Sequence, residues 1–284
     1  MNPAAHAAAP RRWVACADDY AIDGGAVDAI LGLIDAGRLT ATSVLVDAPL
    51  WRSTAPALVQ AVAAGGGPPR ADVGLHLNLT QAFAGRAMQA WPLRALIVRC
   101  AARLMERAPL RAAIERQLDA FEDALGRSPD YVDGHQHVHQ FAQVREELLA
   151  ALARRYPQRH PWIRSTRRPL GVRDAKARTI ATLGDAGLRR QARLGGFATS
   201  DWMVGVYGFD GDADAYLQRL EAWMREGPDG SVFMCHPASR AEAGDAIGSA
   251  RVVEQAVLAG PDFALALQRH GIRLVRGTEL LRRA

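Results

Sequence analysis

Short apolar segments alternate with amphipathic segments along most of the chain. The short segments have the length and side-chain types of buried strands, and they are residues 13–17, 40–47, 73–79, 131–134, 162–164, 231–235 and 272–275. Between them, apolar side chains recur at helical spacing in residues 25–36, 56–64, 110–125, 144–155, 174–187, 213–225, 252–260 and 263–270. This alternation predicts parallel strand pairing with right-handed crossovers.

The succession of strand and helix units favours one closed sheet. Six or seven units follow one another without a linker, and 284 residues are enough for one α/β barrel. We therefore expect a single domain with an irregular (β/α), TIM-like barrel rather than a doubly wound open sheet. Residues 13–284 are assigned to the barrel and residues 1–12 to a flexible N-terminal extension. Residues 81–109 are expected to form a helical insertion over one end of the fold, and residues 195–211 a loop-rich segment.

Composition and charge exclude several classes of protein. Hydrophobic residues make up 49% and charged residues 23% of the chain, as in ordinary globular proteins. The 35 basic residues outnumber the 30 acidic residues, but the arginines are scattered and occur at most in pairs, which argues against nucleic-acid binding. Arg94, Arg99 and Arg103 interrupt the most apolar long segment, so no membrane span is expected.

The cysteines and the N-terminus favour a cytoplasmic protein. Cys16, Cys100 and Cys235 are odd in number and far apart in the sequence, which argues against a disulfide framework and against a zinc site of the CxxC type. The apolar stretch that precedes Asp18 is too short for a signal peptide. We therefore expect a reducing, cytoplasmic environment.

Polar side chains that can bind metal ions follow several of the predicted strands. Asp18 and Asp19 follow the first strand, His76 lies near the end of the third, and His135 and His236 follow two later strands. Because the carboxyl ends of parallel strands open on one face of a barrel, we expect these side chains to converge. Each motif alone has a structural alternative, since an aspartate pair often caps a helix and a lone histidine is often a hydrogen-bonded core residue.

These residue types together indicate metal-assisted hydrolysis. A carboxylate and neutral imidazoles from different strands suit Zn, Mn, Ni, Co or, less readily, Mg. Such an ion polarises a carbonyl group and acidifies a water molecule. A second carboxylate can then take a proton from the water, and a histidine on the opposite side can protonate the leaving group. His137 and His139 add two imidazoles at alternate positions after His135, for which a polar loop is the alternative interpretation.

Four motifs resemble those of a known family. The segments ADDY at 17–20, GLHLNLT at 74–80, DGHQHVH at 133–139 and CHPA at 235–238 are similar, in the same order, to motifs of the YdjC-like carbohydrate deacetylases, which include chitooligosaccharide and hopanoid-associated deacetylases. The similarity runs over nearly the whole chain. It implies a deformed (β/α) barrel and one divalent metal ion, Mg or Zn, used to remove an N-acetyl group from an amino sugar or oligosaccharide.

The resemblance also implies the catalytic roles of individual residues. By position in the motifs, Asp19, His76 and His135 would hold the metal ion. Asp18 would act as general base toward the attacking water, and His236 as general acid toward the departing amine.

Further residues are assigned to the surroundings of this centre by the same resemblance. Arg164 and Asn78 would contact the substrate. His137 and His139 would lie behind the ligands, either as partners for the second nitrogen of a ligating imidazole or as supports of the fold.

Two regions depart from the family pattern or lie outside it. The first motif of the family usually continues Asp-Asp-Phe-Gly, whereas Tyr20 and Ala21 stand here, and loss of the glycine is expected to alter the loop beside the metal. Sugar rings are expected to stack on aromatic side chains of the loop-rich segment 195–211, which are Phe197, Trp202, Tyr207 and Phe209.

Two other functions remain as alternatives at this stage. One is a metal-dependent phosphoesterase or amidohydrolase on a similar barrel, and the other is a sugar-binding protein without catalysis. The absence of a glycine-rich phosphate loop weakens the first, and the complete set of acidic and histidine residues weakens the second. The expected partner is an N-acetylated sugar or oligosaccharide, without nucleic acid, and a homodimer is left open.

Overall fold

A curled parallel sheet forms the centre of the protein. The structure, a computed structural model, describes residues 9–63, 65–84 and 90–281. Its eight strands are β1 (Arg11–Tyr20), β2 (Ala41–Val44), β3 (Asp72–Leu77), β4 (Tyr131–Gly134), β5 (Trp162–Ile163), β6 (Trp202–Val204), β7 (Ser231–Cys235) and β8 (Ile272–Leu274). Seven of them follow the order β5-β4-β3-β2-β1-β7-β6, and β8 pairs with β1 outside this path.

The pairing closes the sheet into a barrel-like ring. Every strand pairing in the described residues is parallel. The two ends of the sheet meet where Ile163 of β5 bridges Thr199, shortly before β6 begins. The expected single-domain (β/α) barrel is therefore confirmed, with short, irregular strands at the point of closure.

Helices cover the outside of this sheet. They are α1 (Gly24–Asp35), α2 (Trp51–Val62), α3 (Leu93–Ala101), α4 (Arg107–Leu125), α5 (Val144–Arg155), α6 (Ala175–Thr182), α7 (Asp185–Leu194), α8 (Ala213–Glu226), α9 (Gly248–Ala259), α10 (Pro261–Arg269) and α11 (Gly277–Leu280). Aspartate side chains cap α1, α6 and α8 by accepting a backbone N–H of the first turn. None of the described helices is long and apolar enough to cross a membrane.

The sheet is buried on both faces, and β1 lies in its middle. Trp13 is 1% exposed and the three residues Ala15, Cys16 and Ala17 are fully buried. β7 pairs along residues 13–17 of β1, whereas β8 pairs with the first residues of β1. The side chains after Ala17 therefore emerge at the carboxyl rim from a strand that is buried from Trp13 onward.

Several predicted boundaries differ from the observed ones. β1 begins at Arg11, two residues before the predicted start of the barrel, and residues 1–8 of the predicted extension lie outside the described residues. The helix predicted for 174–187 is two helices, because Gly184 has a non-helical backbone, with φ 167° and ψ −4°. This residue packs against Gln140, where a Cβ would stand 2.1 Å from the carbonyl oxygen. The segment 195–211, predicted as a loop, contains β6.

The insertion predicted over one end of the fold is largely helical. It contains α3 and the first residues of α4, while residues 85–89 lie outside the described part of the chain. Phe83, Leu93 and Ile97 from this insertion line the cavity at the carboxyl rim. The insertion therefore forms one wall of that cavity.

Candidate active site

A backbone irregularity turns both aspartates of the first motif into the same cavity. Successive side chains of a regular strand point to opposite faces, but the register between β1 and β2 shifts between Ala17 and Tyr20. Asp19 has φ +66°, in the left-handed region. Asp18 and Asp19 are 2% and 1% exposed, and both line the cavity.

The residue after Tyr20, where the motif that this sequence resembles usually has glycine, also has a left-handed backbone conformation. Ala21 has φ +76° and is fully buried. A Cβ in this region costs about 1–2 kcal/mol, which glycine avoids. The alanine is therefore held in a conformation that glycine would adopt freely.

His76 reaches the same point from β3. Its Nε2 lies 3.3 Å from Oδ1 of Asp19, while its Nδ1 lies 2.6 Å from Oδ1 of Asp133 and 3.0 Å from Oγ of Ser43. Asp133 is opposite His76 in the register of β3 and β4. Burial lowers the pKa of His76, but the charges of Asp133 and Asp18 more than offset it and raise the pKa to about 10. The site therefore favours positive charge at this position.

His135 completes a group of three potential ligands. It follows β4 at the start of a 3₁₀ turn, His135–Gln140, in which Gln136 and His137 have positive φ. Nδ1 of His135 lies 3.0 Å from Oδ1 of Asp19. One potential ligand atom from each of Asp19, His76 and His135 lies within 4.8 Å of the other two.

This group fits a divalent metal ion. Ligand atoms about 2.1 Å from a tetrahedral ion lie roughly 3.4 Å from one another, close to the 3.3 and 3.0 Å that separate Asp19 from His76 and His135. His76 also has the partner that a ligating imidazole needs at its second nitrogen, namely Asp133. The donor types, spacing and support of the group are those of a metal site.

Arg164 holds the other aspartate of the pair. Its Nη1 and Nη2 donate to Oδ1 and Oδ2 of Asp18 at 2.5 and 2.7 Å, and Nη1 lies 2.9 Å from Oδ2 of Asp133. Burial opposes the ionisation of Asp18, but the Arg164 guanidinium and the nearby His76 hold its pKa well below the usual range. Asp18 is thus kept as an oriented anion.

The two residues predicted to contact substrate lie elsewhere in the structure. Arg164 is fully buried behind Asp18. Asn78 is also fully buried, and its Oδ1 accepts the backbone N–H groups of Thr80 and Gln81. Neither residue is among those that line the cavity: Arg164 contacts the Asp18 carboxylate, and Asn78 closes the turn that follows β3.

His137 and His139 are not the partners of the ligating imidazoles. His139 is fully buried, and its Nε2 donates to the carbonyl of Arg164 at 2.8 Å. His137 lies in the cavity wall, and its buried Nδ1 has no hydrogen-bond partner among the described residues. Asp133 holds the position expected of them beside His76. His139 matches the alternative expectation, because it fixes the backbone from which Arg164 projects.

His236 faces Asp18 from β7. Its Nε2 lies 4.0 Å from Oδ2 of Asp18, and the Phe209 ring packs edge-on against its imidazole with 5.3 Å between centroids. Burial lowers the pKa of His236 to about 4, against the opposing effect of Asp18 and Asp19. The imidazole is therefore neutral near pH 7 in this arrangement.

Two charged residues of α9 also reach the site, and the sequence motifs did not indicate them. Arg251 is 2% exposed, and its Nη2 donates to Oδ2 of Asp19 at 2.7 Å. Glu254 accepts the Tyr207 hydroxyl at 2.7 Å and the backbone N–H of His236. Arg251 and Glu254 are three residues apart, which places them on one face of the helix. This spacing can be seen in the sequence, but it does not indicate what the face contacts.

The cavity around these groups is large enough for a small saccharide. Its volume is about 810 Å³. Of the four aromatic residues expected to stack on sugar, Tyr207 and Phe209 line it. The other two pack elsewhere, since Phe197 stacks on His160 and Trp202 lies under the guanidinium of Arg167, in the loop that follows β5.

Fold and site together define a parallel α/β barrel with a carboxylate and imidazole centre at its carboxyl rim. The chain belongs to the YdjC-like protein family, whose model matches residues 12–269.

Named relatives agree with this membership. The chain is 27% identical over 268 residues to a chitooligosaccharide deacetylase of Klebsiella pneumoniae, which covers 91% of this chain and 94% of the relative. It is 27% identical over 218 residues to a chitooligosaccharide deacetylase of Yersinia pestis, which covers 72% of this chain and 77% of the relative.

Solved structures share the fold. A candidate cellobiose-phosphate cleavage protein from Enterococcus faecalis superimposes with a TM-score of 0.70 at 19% identity, over 96% of this chain and 100% of that one. A peptidoglycan N-acetylglucosamine deacetylase superimposes with a TM-score of 0.50 at 11% identity, over 96% of this chain and 89% of that one. At these identities the likeness supports the architecture alone.

Proposed function

We propose that this protein is a metal-dependent deacetylase that removes the N-acetyl group of an amino sugar or a short chitooligosaccharide. The observation that carries the proposal is the division between two adjacent carboxylates. Asp19 faces two imidazoles, whereas Asp18 is held by Arg164 at the same cavity. Hydrolysis at a metal centre can use both kinds of carboxylate, one as ligand and one as general base. The names of the two relatives supply the substrate class.

Asp19, His76 and His135 would hold the metal ion. When bound, a divalent ion polarises the acetyl carbonyl and lowers the pKa of a water molecule. Asp133 fixes the ring of His76 by binding Nδ1, which leaves Nε2 directed at the centre. Two imidazoles beside one carboxylate are more typical of a Zn site than of a Mg site.

Asp18 would take the proton of the attacking water. Its bidentate ion pair with Arg164 fixes the direction of its lone pairs and keeps it ionised. This carboxylate is not exposed to bulk solvent, so it does not lose its orientation to competing water contacts. Proton transfer by a positioned group of this type contributes about 10²- to 10⁴-fold to a rate.

His236 would pass a proton to the departing amine. Its Nε2 lies 4.0 Å from the Asp18 carboxylate, so a proton taken up by Asp18 has a short path to the imidazole. Glu254 fixes the backbone of His236 and Phe209 packs against its ring, which limits its movement. The neutral form favoured by burial is the form that can accept the proton during turnover.

The proposed function is tested by acetate release. The chain, first treated with a chelator and then supplied with Zn²⁺, Co²⁺ or Mg²⁺, is incubated with N,N′-diacetylchitobiose, and acetate and free amine are quantified. We expect equal amounts of both products, dependent on added metal. Asp229→Asn, which changes an exposed ion pair with Arg12, serves as the control variant with unchanged activity. Phosphate release from sugar phosphates without acetate release would instead favour the phosphoesterase alternative.

A second test concerns His236. We expect His236→Ala to retain its metal and to lose about 10²-fold in the rate of N-deacetylation, within the usual contribution of a general acid. The loss on an aryl acetate ester should be far smaller, because a phenolate leaves without protonation. The measurement is kcat for amide and ester substrates of the same variant. Equal losses on the two substrates would contradict the acid role.

A further inference from the structure

Arg251 lies buried between two carboxylates at the edge of the candidate metal site. It is in the first turn of α9, and its side chain is 3% exposed. Nη2 lies 2.7 Å from Oδ2 of Asp19, and Nε lies 2.7 Å from Oδ2 of Asp245. The guanidinium is planar and its donors have fixed directions. The contact of the guanidinium with Asp245 therefore limits how it can be oriented toward Asp19, and the reverse also holds.

The two oxygens of Asp19 consequently have different partners. Oδ1 lies 3.3 Å from Nε2 of His76 and 3.0 Å from Nδ1 of His135. Oδ2 is taken by Arg251. A free carboxylate can bind a metal ion through one oxygen or through both, and the ion pair with Arg251 distinguishes the oxygens before any ion binds.

Asp245 holds the Arg251 guanidinium in place when the Asp19 side chain rotates. Its Oδ1 accepts the backbone N–H of Ile247 at 3.0 Å, while its Oδ2 accepts Nε of Arg251. The surrounding segment, residues 242–247, lines the cavity. The guanidinium is thus anchored on a wall of the substrate cavity and not only on Asp19.

We propose that Arg251 is a positioning residue that reserves Oδ2 of Asp19, so that Asp19 offers only Oδ1 to the metal ion. This inference rests on the proposed function. A one-oxygen ligand leaves coordination positions for the water and the acetyl carbonyl, as open catalytic sites require. Arg251 would then act on the reaction through the ligand, without contacting the substrate.

Removing the guanidinium should uncouple metal binding from activity. Methionine has a side chain of similar length without hydrogen-bond donors. In Arg251→Met, Oδ2 of Asp19 is therefore free to bind the metal ion, and a neighbouring positive charge is lost. Both changes favour metal binding, so we expect the Kd for Co²⁺ to be no weaker than that of the unchanged chain. Deacetylation should still fall about 10- to 100-fold, the scale seen for residues that orient a ligand.

The test uses Co²⁺ alone as probe, because its visible spectrum depends on the number of its ligands. Chelator-treated protein is titrated with Co²⁺, and the absorption spectrum and Kd are recorded for the unchanged chain, Arg251→Met and Arg251→Lys. We expect a changed spectrum in Arg251→Met and recovery of the original spectrum, with part of the activity, in Arg251→Lys. Arg251→Leu, which also lacks hydrogen-bond donors, carries the same test if Arg251→Met fails to fold. Arg154→Ala, which removes an exposed ion pair with Glu115, is the matched control.

The outcomes separate this inference from the function on which it rests. A spectrum of Arg251→Met identical to that of the unchanged chain, or Co²⁺ binding more than tenfold weaker without a spectral change, would overturn the positioning role alone. Failure of the unchanged chain to bind Co²⁺ would overturn both proposals. Three results for Arg251→Met would support the role, if Arg251→Lys reverses them: a changed Co²⁺ spectrum, retained affinity for Co²⁺ and lost activity. An arginine with a merely structural role would alter stability and leave the Co²⁺ spectrum of the folded protein unchanged.

Discussion

Replacing His76 with alanine is expected to remove the bound metal ion and reduce deacetylation to background while the chain stays folded. His76 supplies one of two imidazoles that face Asp19, and nothing else among the described residues occupies its place between Asp19 and Asp133. Arg164 keeps its pairing with Asp18 and with Asp133 in this variant, so those buried charges remain neutralised. The measurements are metal content per chain, the melting temperature and acetate release.

Asp19→Ala and His135→Ala should give the same result as His76→Ala. The histidine His270, which follows α10 and lies outside the cavity, provides the control, and His270→Ala should keep both metal and activity. Retention of one metal ion per chain in His76→Ala, with an intact fold, would contradict the ligand assignment.

Asp18→Asn is expected to keep the metal ion and lose about 10²- to 10⁴-fold in kcat, the usual contribution of a general base. The amide has the shape of the carboxylate but cannot accept a proton at neutral pH. Arg164 still contacts Asp133 at 2.9 Å in this variant, which limits the cost of the missing charge. Metal content and kcat on N,N′-diacetylchitobiose are measured on the same preparation.

The adjacent aspartate supplies the matched comparison. Asp19→Asn changes the same functional group one residue away, but there we expect loss of metal, because Asp19 faces both His76 and His135. Loss of metal from Asp18→Asn together with its retention in Asp19→Asn would show that the two roles are exchanged.

The alternation of strand and helix was sufficient to predict the barrel. β4, α5 and β7 have the predicted bounds, because each is a continuous apolar or amphipathic segment that ends at polar or turn-forming residues. β6 was missed because its three residues lie within the segment 195–211, whose glycines and turn-forming residues indicate a loop. The break between α6 and α7 falls at Gly184, and a single glycine within a helical pattern does not by itself indicate that the helix ends.

The site also combines features that the sequence indicates locally with features that depend on tertiary contacts. Residues at strand ends converge because parallel strands share one rim, and Asp18, Asp19 and His76 could be placed there from the sequence. Arg251 contacts Asp19 across 232 positions of the chain from the side of a helix, and helix periodicity does not indicate a partner. Arg164 was placed near the site by the family resemblance, but its contact with Asp18 behind the cavity wall depends on tertiary packing.

The closure of the ring has a consequence for motion during turnover. In the described residues the seam is joined by the bridge between Ile163 and Thr199 and by hydrogen bonds from Ser165 to Ser200 and from Met203 to Arg167. Only short segments pair there, whereas β1 and β7 are paired along five residues. Local opening follows the weakest ladder. Opening at the seam would displace β6 and the aromatic wall that follows it, while β1, β3 and β4 keep the ligand group together. We therefore expect an opening at the seam to widen the cavity without separating Asp19, His76 and His135.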